Sequence, residues 1–296
     1  MSLKNNLLFK KSKFWTGFKK EESTLWIKGY CNYSIHELIQ FFSSIEKNKL
    51  ENFISTITGH FAIVFSSPKR TIILVDRIRS SPIYFFQKND KIFITPTLNK
   101  IKKEFNSSFT LNEQAKLEIS MGGFTIKKNS LYSEVNSPNA GNYILIENDS
   151  VKEYTYFNYF GKIEANLSKA QLIDELTEVT LGIFKDTLER VGKRQIVIPL
   201  SAGNDSRLVA SCLKHLRAEN ILCFTYGNNN SFEVITAKKI AKKLGFKWVF
   251  VPLAHRGERK FYKSQTFKDY LDFADSVDSI PYFQGLTSIK YLKENM

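Results

Sequence analysis

Cysteine, histidine and long apolar runs are all scarce in this chain. Its three cysteines, Cys31, Cys212 and Cys223, are odd in number and form no CxxC pair, which excludes a disulfide framework and a cysteine-based zinc site. The four histidines, His36, His60, His215 and His255, have no companion at metal-ligand or triad spacing, so each is read as structural or superficial. No run approaches the ~18 apolar residues of a membrane span, and the basic N-terminus MSLKNNLLFKKSKFW lacks the apolar stretch of a signal peptide. These absences predict a reduced, cytoplasmic protein without a membrane segment. Two common phosphate cradles are also missing. Gly192 and Lys193 are followed by Arg194, so there is no Walker loop, and no GxGxxG occurs.

What is present begins with size. A length of 296 residues exceeds one average domain, and 43% hydrophobic with 24% charged residues is the balance of a globular protein with a sizeable core. The net charge of +14 raises the question of nucleic acid, where clustered Lys and Arg supply the phosphate term. The charges are instead scattered beside many Asn, Ile and Phe, as an AT-rich coding sequence also produces, so nucleic acid is not the expected partner. A small polyanion such as a nucleotide fits the same charge.

The architecture changes near residue 165. Before it, short runs rich in Ile, Val, Phe and Tyr recur between turn residues, at 25–28, 61–65, 71–75, 83–86, 91–95 and 143–146, which predicts a mostly antiparallel sheet structure. One helix is expected around 35–47. After residue 165, Ser168 and Gln171 form a capping box, and Leu172, Leu176, Val179 and Ile183 repeat at helical spacing. Helix and strand then alternate: strand 195–200, helix 207–216, strand 221–226, helix 231–244 closed by Gly245, strand 248–251. That order makes parallel βαβ units, whose ligands bind beyond the carboxyl ends of the strands.

At one such end stands IVIPLSAGNDSR, residues 196–207. A strand feeding a helix through a short loop leaves the first helical N–H groups unpaired at the positive end of the dipole, which suits phosphate. Gly203 is expected to let the backbone turn sharply, Ser201 and Ser206 to add hydroxyls, and Asp205 to cap the helix or hold Mg²⁺ beside phosphate oxygens. Arg207 could reach a phosphate or lie exposed in the first turn. The plainer alternative is a Gly/Asn/Asp turn of the kind found in many αβ proteins.

LSAGNDSRLVA resembles the PP-loop of ATP pyrophosphatases, usually SGGxDS, in the version carried by the asparagine synthetase family. FTYG at 224–227 and AKKIAKKLGF at 237–246 continue the likeness downstream. GHFAIVF, VDRIRSSPIYFF, GGFTIKKNSLYSEV and AGNYILIENDSVKEYTYF are similar to successive segments of that family's glutaminase-like half. The resemblance covers roughly residues 55–290. It implies a two-domain α/β protein: an Ntn-type αββα glutaminase-like domain over 1–160, and a PP-loop domain of adenine nucleotide α hydrolase type, a parallel sheet with helices, over 165–296.

The resemblance further implies ATP and Mg²⁺ as cofactors, with Leu200, Ser201, Ala202, Gly203, Asn204, Asp205, Ser206, Tyr226 and Gly227 at the nucleotide. Within that set Ser201, Asp205 and Ser206 act on the leaving pyrophosphate, and Asp205 is the metal residue. The implied reaction adenylates a carboxylate, aspartate or a related acid, and passes ammonia or another amine to it. Partners are therefore a small carboxylate and an amine, and a homodimer is admissible. Ala202 departs from the family's glycine, so the loop is altered if that position needs positive φ. The glutaminase half departs further: Ser2 stands where active members have cysteine, Lys28 precedes Gly29 where an asparagine-glycine pair forms the oxyanion site, and Ile35 aligns with the acid that grips glutamine. Glutamine hydrolysis is expected to be lost. The family also carries a second Gly-rich phosphate motif after the helix matching QGLTSIKYLKENM, so a longer parent chain is expected. A PP-loop tRNA-modifying enzyme and a non-catalytic nucleotide-binding scaffold are the alternatives. The acidic stretch DYLDFADSVDS, with Asp269, Asp272, Asp275 and Asp278 three apart, is expected to form one solvated helical face.

Overall fold

Strands β4 (Gly59–Ser66) and β5 (Thr71–Val75) are almost continuously apolar because both of their faces are covered. Phe61, Ile63, Phe65, Ile72 and Leu74 point to one core, while Ala62, Val64, Ile73 and Val75 point to another. The computed structural model describes residues 4–9, 14–98, 109–160, 167–253 and 255–295. The chain divides into two compact units, Met1–Gly161 with Leu271–Pro281, and Lys162–Tyr270 with Tyr282–Met296.

In the first unit a six-stranded antiparallel sheet runs in the order β2 (Trp15–Lys20), β3 (Ser23–Cys31), β4, β5, β8 (Asn142–Glu147), β9 (Ser150–Thr155). Helices α1 (Ile35–Ser44) and α2 (Lys47–Ser55) cover one face through Leu38, Ile39, Phe42, Leu50 and Ile54. The other face packs on a smaller sheet of β1 (Lys4–Leu7), β7 (Lys91–Thr95) and β6 (Tyr84–Lys88), which contributes Ile92 and Ile94. The single helix expected over 35–47 is two helices. Ile45 is extended, with ψ 136°, and Glu46 with ψ 147° caps the second. Helix α3 (Glu113–Gly122) follows later in the unit.

The outer face of the small sheet is closed from far along the chain. Tyr84, Phe86 and Phe93 bury against Val135 and Val277. The Val277 and Asp278 carbonyls accept hydrogen bonds from the Leu131 and Thr125 N–H groups, each at 2.7 Å. The Asp278 carboxylate, only 4% exposed, accepts from the Tyr84 hydroxyl at 3.1 Å and pairs with Arg79 at 3.5 Å. Burial, and then Asp278, push the Tyr84 phenol well above its ordinary range, so it stays a donor. The expectation of one solvated acidic face over 269–278 is therefore corrected. The helix ends at Ala274, Asp275 turns the backbone at φ 38°, and Asp275 and Asp278 are buried. Segment Leu271–Pro281, expected within the C-terminal domain, belongs to the first unit.

The second unit holds a parallel sheet in the order β10 (Ile196–Pro199), β11 (Ile221–Gly227), β12 (Lys247–Pro252). Helix α4 (Lys169–Val191) opens with the expected Ser168/Gln171 capping box. Only its C-terminal part meets the core, through Phe184 and Leu188. Leu172, Leu176, Val179 and Ile183 are exposed. Helices α5 (Asn204–His215) and α6 (Phe232–Leu244) pack Ala210, Leu213, Ala237 and Ala241 against Ile198, Ile221 and Cys223. Ser231 caps α6, and Gly245 at φ 73° ends it. Helices α7 (His255–Tyr262), α8 (Gln265–Ala274, whose last turn belongs to the first unit) and α9 (Leu286–Asn295) follow.

One polar thread crosses this sheet. The Trp248 indole N–H donates to Thr225 Oγ1 at 3.0 Å, and the Thr225 hydroxyl donates to the Leu200 carbonyl at 2.7 Å. With Leu200 N–H on the Phe224 carbonyl at 2.8 Å, the chain is pinned where β10 hands over to the serine loop.

Two stability predictions follow from these contacts. Asp278→Ala leaves Arg79 and the Tyr84 hydroxyl without their acceptor in a buried place, and should lower unfolding free energy by about 3 kcal/mol. An unchanged urea midpoint would show the pair to be idle. Thr225→Val orphans both the Trp248 N–H and the Leu200 carbonyl, at a cost of about 1–3 kcal/mol. Thr225→Ser keeps the hydroxyl and should recover most of that loss in the same urea titration.

Candidate functional site

The loop after β10 is built on two interlocked serines. Ser206 Oγ accepts the Ser201 N–H at 3.0 Å and lies 2.9 Å from Ser201 Oγ, which in turn accepts the Gly203 N–H at 3.1 Å. The six residues 201–206 are thereby folded into one turn leading into α5. The helix is capped by Gly203 itself, at φ −70° and ψ 162°, with no side-chain cap. The expected capping role of Asp205 is thus corrected. Asp205 lies in the first turn, exposed, with no hydrogen-bond or ion-pair partner among the described residues. The first-turn N–H groups have no side-chain acceptor and sit at the positive end of the helix dipole.

Gly203 does not serve the sharp turn expected of it. Its φ suits any residue, and a Cβ there would instead stand 3.1 Å from Ser201 Oγ. The glycine keeps that hydroxyl's place clear. Ala202 is not among the residues with positive φ, so alanine costs this turn nothing conformational. Arg207 folds back on the loop: its Nε donates to the Gly203 carbonyl at 3.1 Å and its guanidinium bonds the Asn204 amide oxygen.

The structure thus brings Ser201, Gly203, Asn204, Ser206 and Arg207 together, with Asp205 on the same turn. Leu200 is buried under Thr225. Tyr226 and Gly227 close the neighbouring strand β11, two and three residues past the Phe224 carbonyl that holds Leu200. Burial, and then the charge and hydrogen bond of neighbouring Tyr282, raise the Tyr226 phenol. Among the described residues no group of three or more His, Cys, Asp and Glu could hold a metal. Asp205 would therefore coordinate a cation only together with ligand oxygens. The sequence reading missed Thr225 and Trp248; a threonine inside an apolar strand was the available signal.

At the opposite, amino ends of β11 and β12 lies a depression of about 720 Å³ lined by Lys214, His215, Arg217 and Lys247. Lys214, Arg217 and Lys247 sit near where helices α5 and α6 end, so these cations answer the negative end of the dipole.

The first unit has its own cavity, of about 850 Å³, where β3 meets β4. Gly29 at φ 86° and Gly59 at φ 136° let the two strands close on each other; a Cβ on Gly29 would lie 2.0 Å from the His60 carbonyl oxygen. Lys28, Cys31, His60 and Ile35 line the cavity. His60 packs edge-on to Tyr30. Burial pushes the Cys31 thiol up, and it donates to the Tyr33 carbonyl at 3.3 Å, so it is not held as a thiolate nucleophile. Ile35 opens helix α1 behind a Ser34/Glu37 capping box. Ser2 and the side chain of His255 lie outside the described residues. All three cysteines are unpaired, and no helix among the described residues is long and apolar enough to cross a membrane.

No family model and no curated protein matches the chain. Among solved structures it is similar to the glutamine phosphoribosylpyrophosphate (PRPP) amidotransferase from B. subtilis complexed with ADP and GMP, at 12% identity over 86% of this chain and 52% of that one, with a TM-score of 0.27. A structure of the allosteric regulatory enzyme of purine biosynthesis gives 11% identity over 83% and 51%, with a TM-score of 0.26. The chain spans about half the length of these structures. Neither is described as an asparagine synthetase, and at such TM-scores the likeness assigns neither site nor activity to this chain.

Proposed function

We propose that the second unit is the nucleotide half of an ATP-dependent carbon–nitrogen ligase of asparagine-synthetase type. The observation that carries this reading is the Ser201–Gly203–Ser206 interlock directly before a helix whose N-terminus no side chain caps. In this reading a substrate carboxylate attacks the α-phosphorus of ATP, pyrophosphate leaves, and ammonia or another amine displaces AMP to give the amide. The serine hydroxyls and first-turn N–H groups receive the pyrophosphate and stabilise the charge that grows on it as the bond breaks. Mg²⁺ would neutralise phosphate oxygens, with Asp205 as the protein group at hand. Leu200, Tyr226 and Gly227 line the adenosine side.

The first unit's layering of two helices on a sheet on a second sheet suits an Ntn-type glutaminase-like domain. Lys28 and Ile35 do not supply the groups that glutamine hydrolysis needs, so the nitrogen arrives as ammonia or an amine. A nucleotide-binding relative without turnover is the second reading, favoured by Arg207, which is tied to Gly203 and Asn204 rather than turned outward.

ATP–pyrophosphate exchange, run with a panel of amino acids and related carboxylic acids, separates the two readings. The ligase reading expects exchange with at least one acid, and expects Asp205→Ala to reduce it by about 10²-fold or more with an unchanged circular dichroism spectrum. Saturable ATP binding without exchange on any acid supports the second reading. Undiminished exchange in a well-folded Asp205→Ala protein would remove the loop assignment. In parallel, incubation with glutamine should release no glutamate; steady release that Ser2→Ala abolishes would restore an N-terminal nucleophile.

A further inference from the structure

We propose that the cavity at the β3–β4 end of the first unit binds a small organic anion, a carboxylate with an apolar body, seated on the Lys28 ammonium and the Ser81 hydroxyl. The cavity's volume of about 850 Å³ lies in the range that accommodates small-molecule ligands. Its lining combines apolar walls, Phe14, Phe18 and Ile27, with hydroxyls and the Lys28 ammonium, and among the described residues it contains no aspartate or glutamate.

Among the described residues of that lining Lys28 is the cation, and it has neither an ion-pair nor a hydrogen-bond partner among them. Desolvation lowers its pKa. A partly buried ammonium without an anion is costly, and a bound carboxylate would supply the missing charge. Ser81 is a second, independent sign. It is only 8% exposed, lines the same cavity, and its hydroxyl has no hydrogen-bond partner among the described residues. The hydroxyl of neighbouring Ser80, by contrast, is spent on the Asp76 carboxylate. Free glutamine is a poor occupant, because its ammonium would enter a cavity that has a lysine and, among the described residues, no acid. The inference stands on the first unit alone and is independent of the nucleotide reading.

Isothermal titration of the whole protein with phenylacetate, and with its uncharged analogue phenylacetamide, provides the test. Phenylacetate should bind saturably with one site per chain, phenylacetamide at least about tenfold more weakly, and glutamine not measurably. Lys28→Met should weaken phenylacetate binding at least about tenfold, and Ser81→Ala by about threefold to tenfold, with unfolding temperatures close to that of the unaltered protein. If Lys28→Met does not fold, Lys28→Gln replaces it, and the acid-to-amide comparison on the unaltered protein decides by itself. Absence of saturable phenylacetate binding up to about 10 mM, equal affinity for acid and amide, or undiminished binding by a folded Lys28 variant would each overturn the proposal.

Discussion

The first unit is organised around one buried carboxylate. Asp76, 1% exposed, follows β5 directly and takes the Phe61 N–H from β4 at 3.0 Å, the Ile78 N–H at 2.9 Å, and both the N–H and the hydroxyl of Ser80. A carboxylate removed from water is tolerable only when its lone pairs are filled, and here the fillers are backbone groups that would otherwise be unpaired themselves. The carbonyls beside it are claimed as well: Val75 O by the Tyr156 hydroxyl at 2.8 Å, and Asp76 O by the Gly141 N–H at 3.2 Å. Three distant stretches thus converge on one residue. The turn it shapes carries Ser81 into the cavity and Arg79 toward Asp278.

The serine loop of the second unit solves the opposite problem. There the first-turn N–H groups of α5 have no side-chain acceptor, while the loop's own N–H groups and hydroxyls are spent on one another, and support comes from below, through Thr225 and Trp248. The Thr225 and Trp248 bonds fix where the loop begins, and the serine bonds fix how it turns.

How much of this was legible in the sequence varied with the physical signal. Strands β4, β5 and β7 and helices α4, α5 and α6 were read closely, because their apolar period is strong and Ser168, Ser231 and Gly245 mark their ends. Strands β1, β2 and β9 were not, since KNNL, WTGFKK and SVKEYT carry little apolar signal and owe their state to pairing with β7, β3 and β8. At the candidate site the chemistry of the loop residues was readable, but their partners were not. Nothing local in AGND tells that Gly203 rather than Asp205 begins the helix, or that alanine at 202 is harmless. The acidic stretch failed for the same reason. Period-three aspartates look like a wet helical face until Arg79 and Tyr84, far away in sequence, claim one of them.

That distant claim has a consequence for how the protein is made. The Tyr84 hydroxyl and its acceptor Asp278 are 194 positions apart, with the whole of the parallel sheet synthesised between them. While the ribosome is still producing the second unit, the outer face of the small sheet has no Val277 over Phe86 and Phe93, and Arg79 has no carboxylate. Completing that face therefore depends on the Leu271–Pro281 strip, which is synthesised after the rest of the first unit. Such late, long-range closure is slow, and a partly built domain held open in this way is the sort of client that chaperones shield from aggregation.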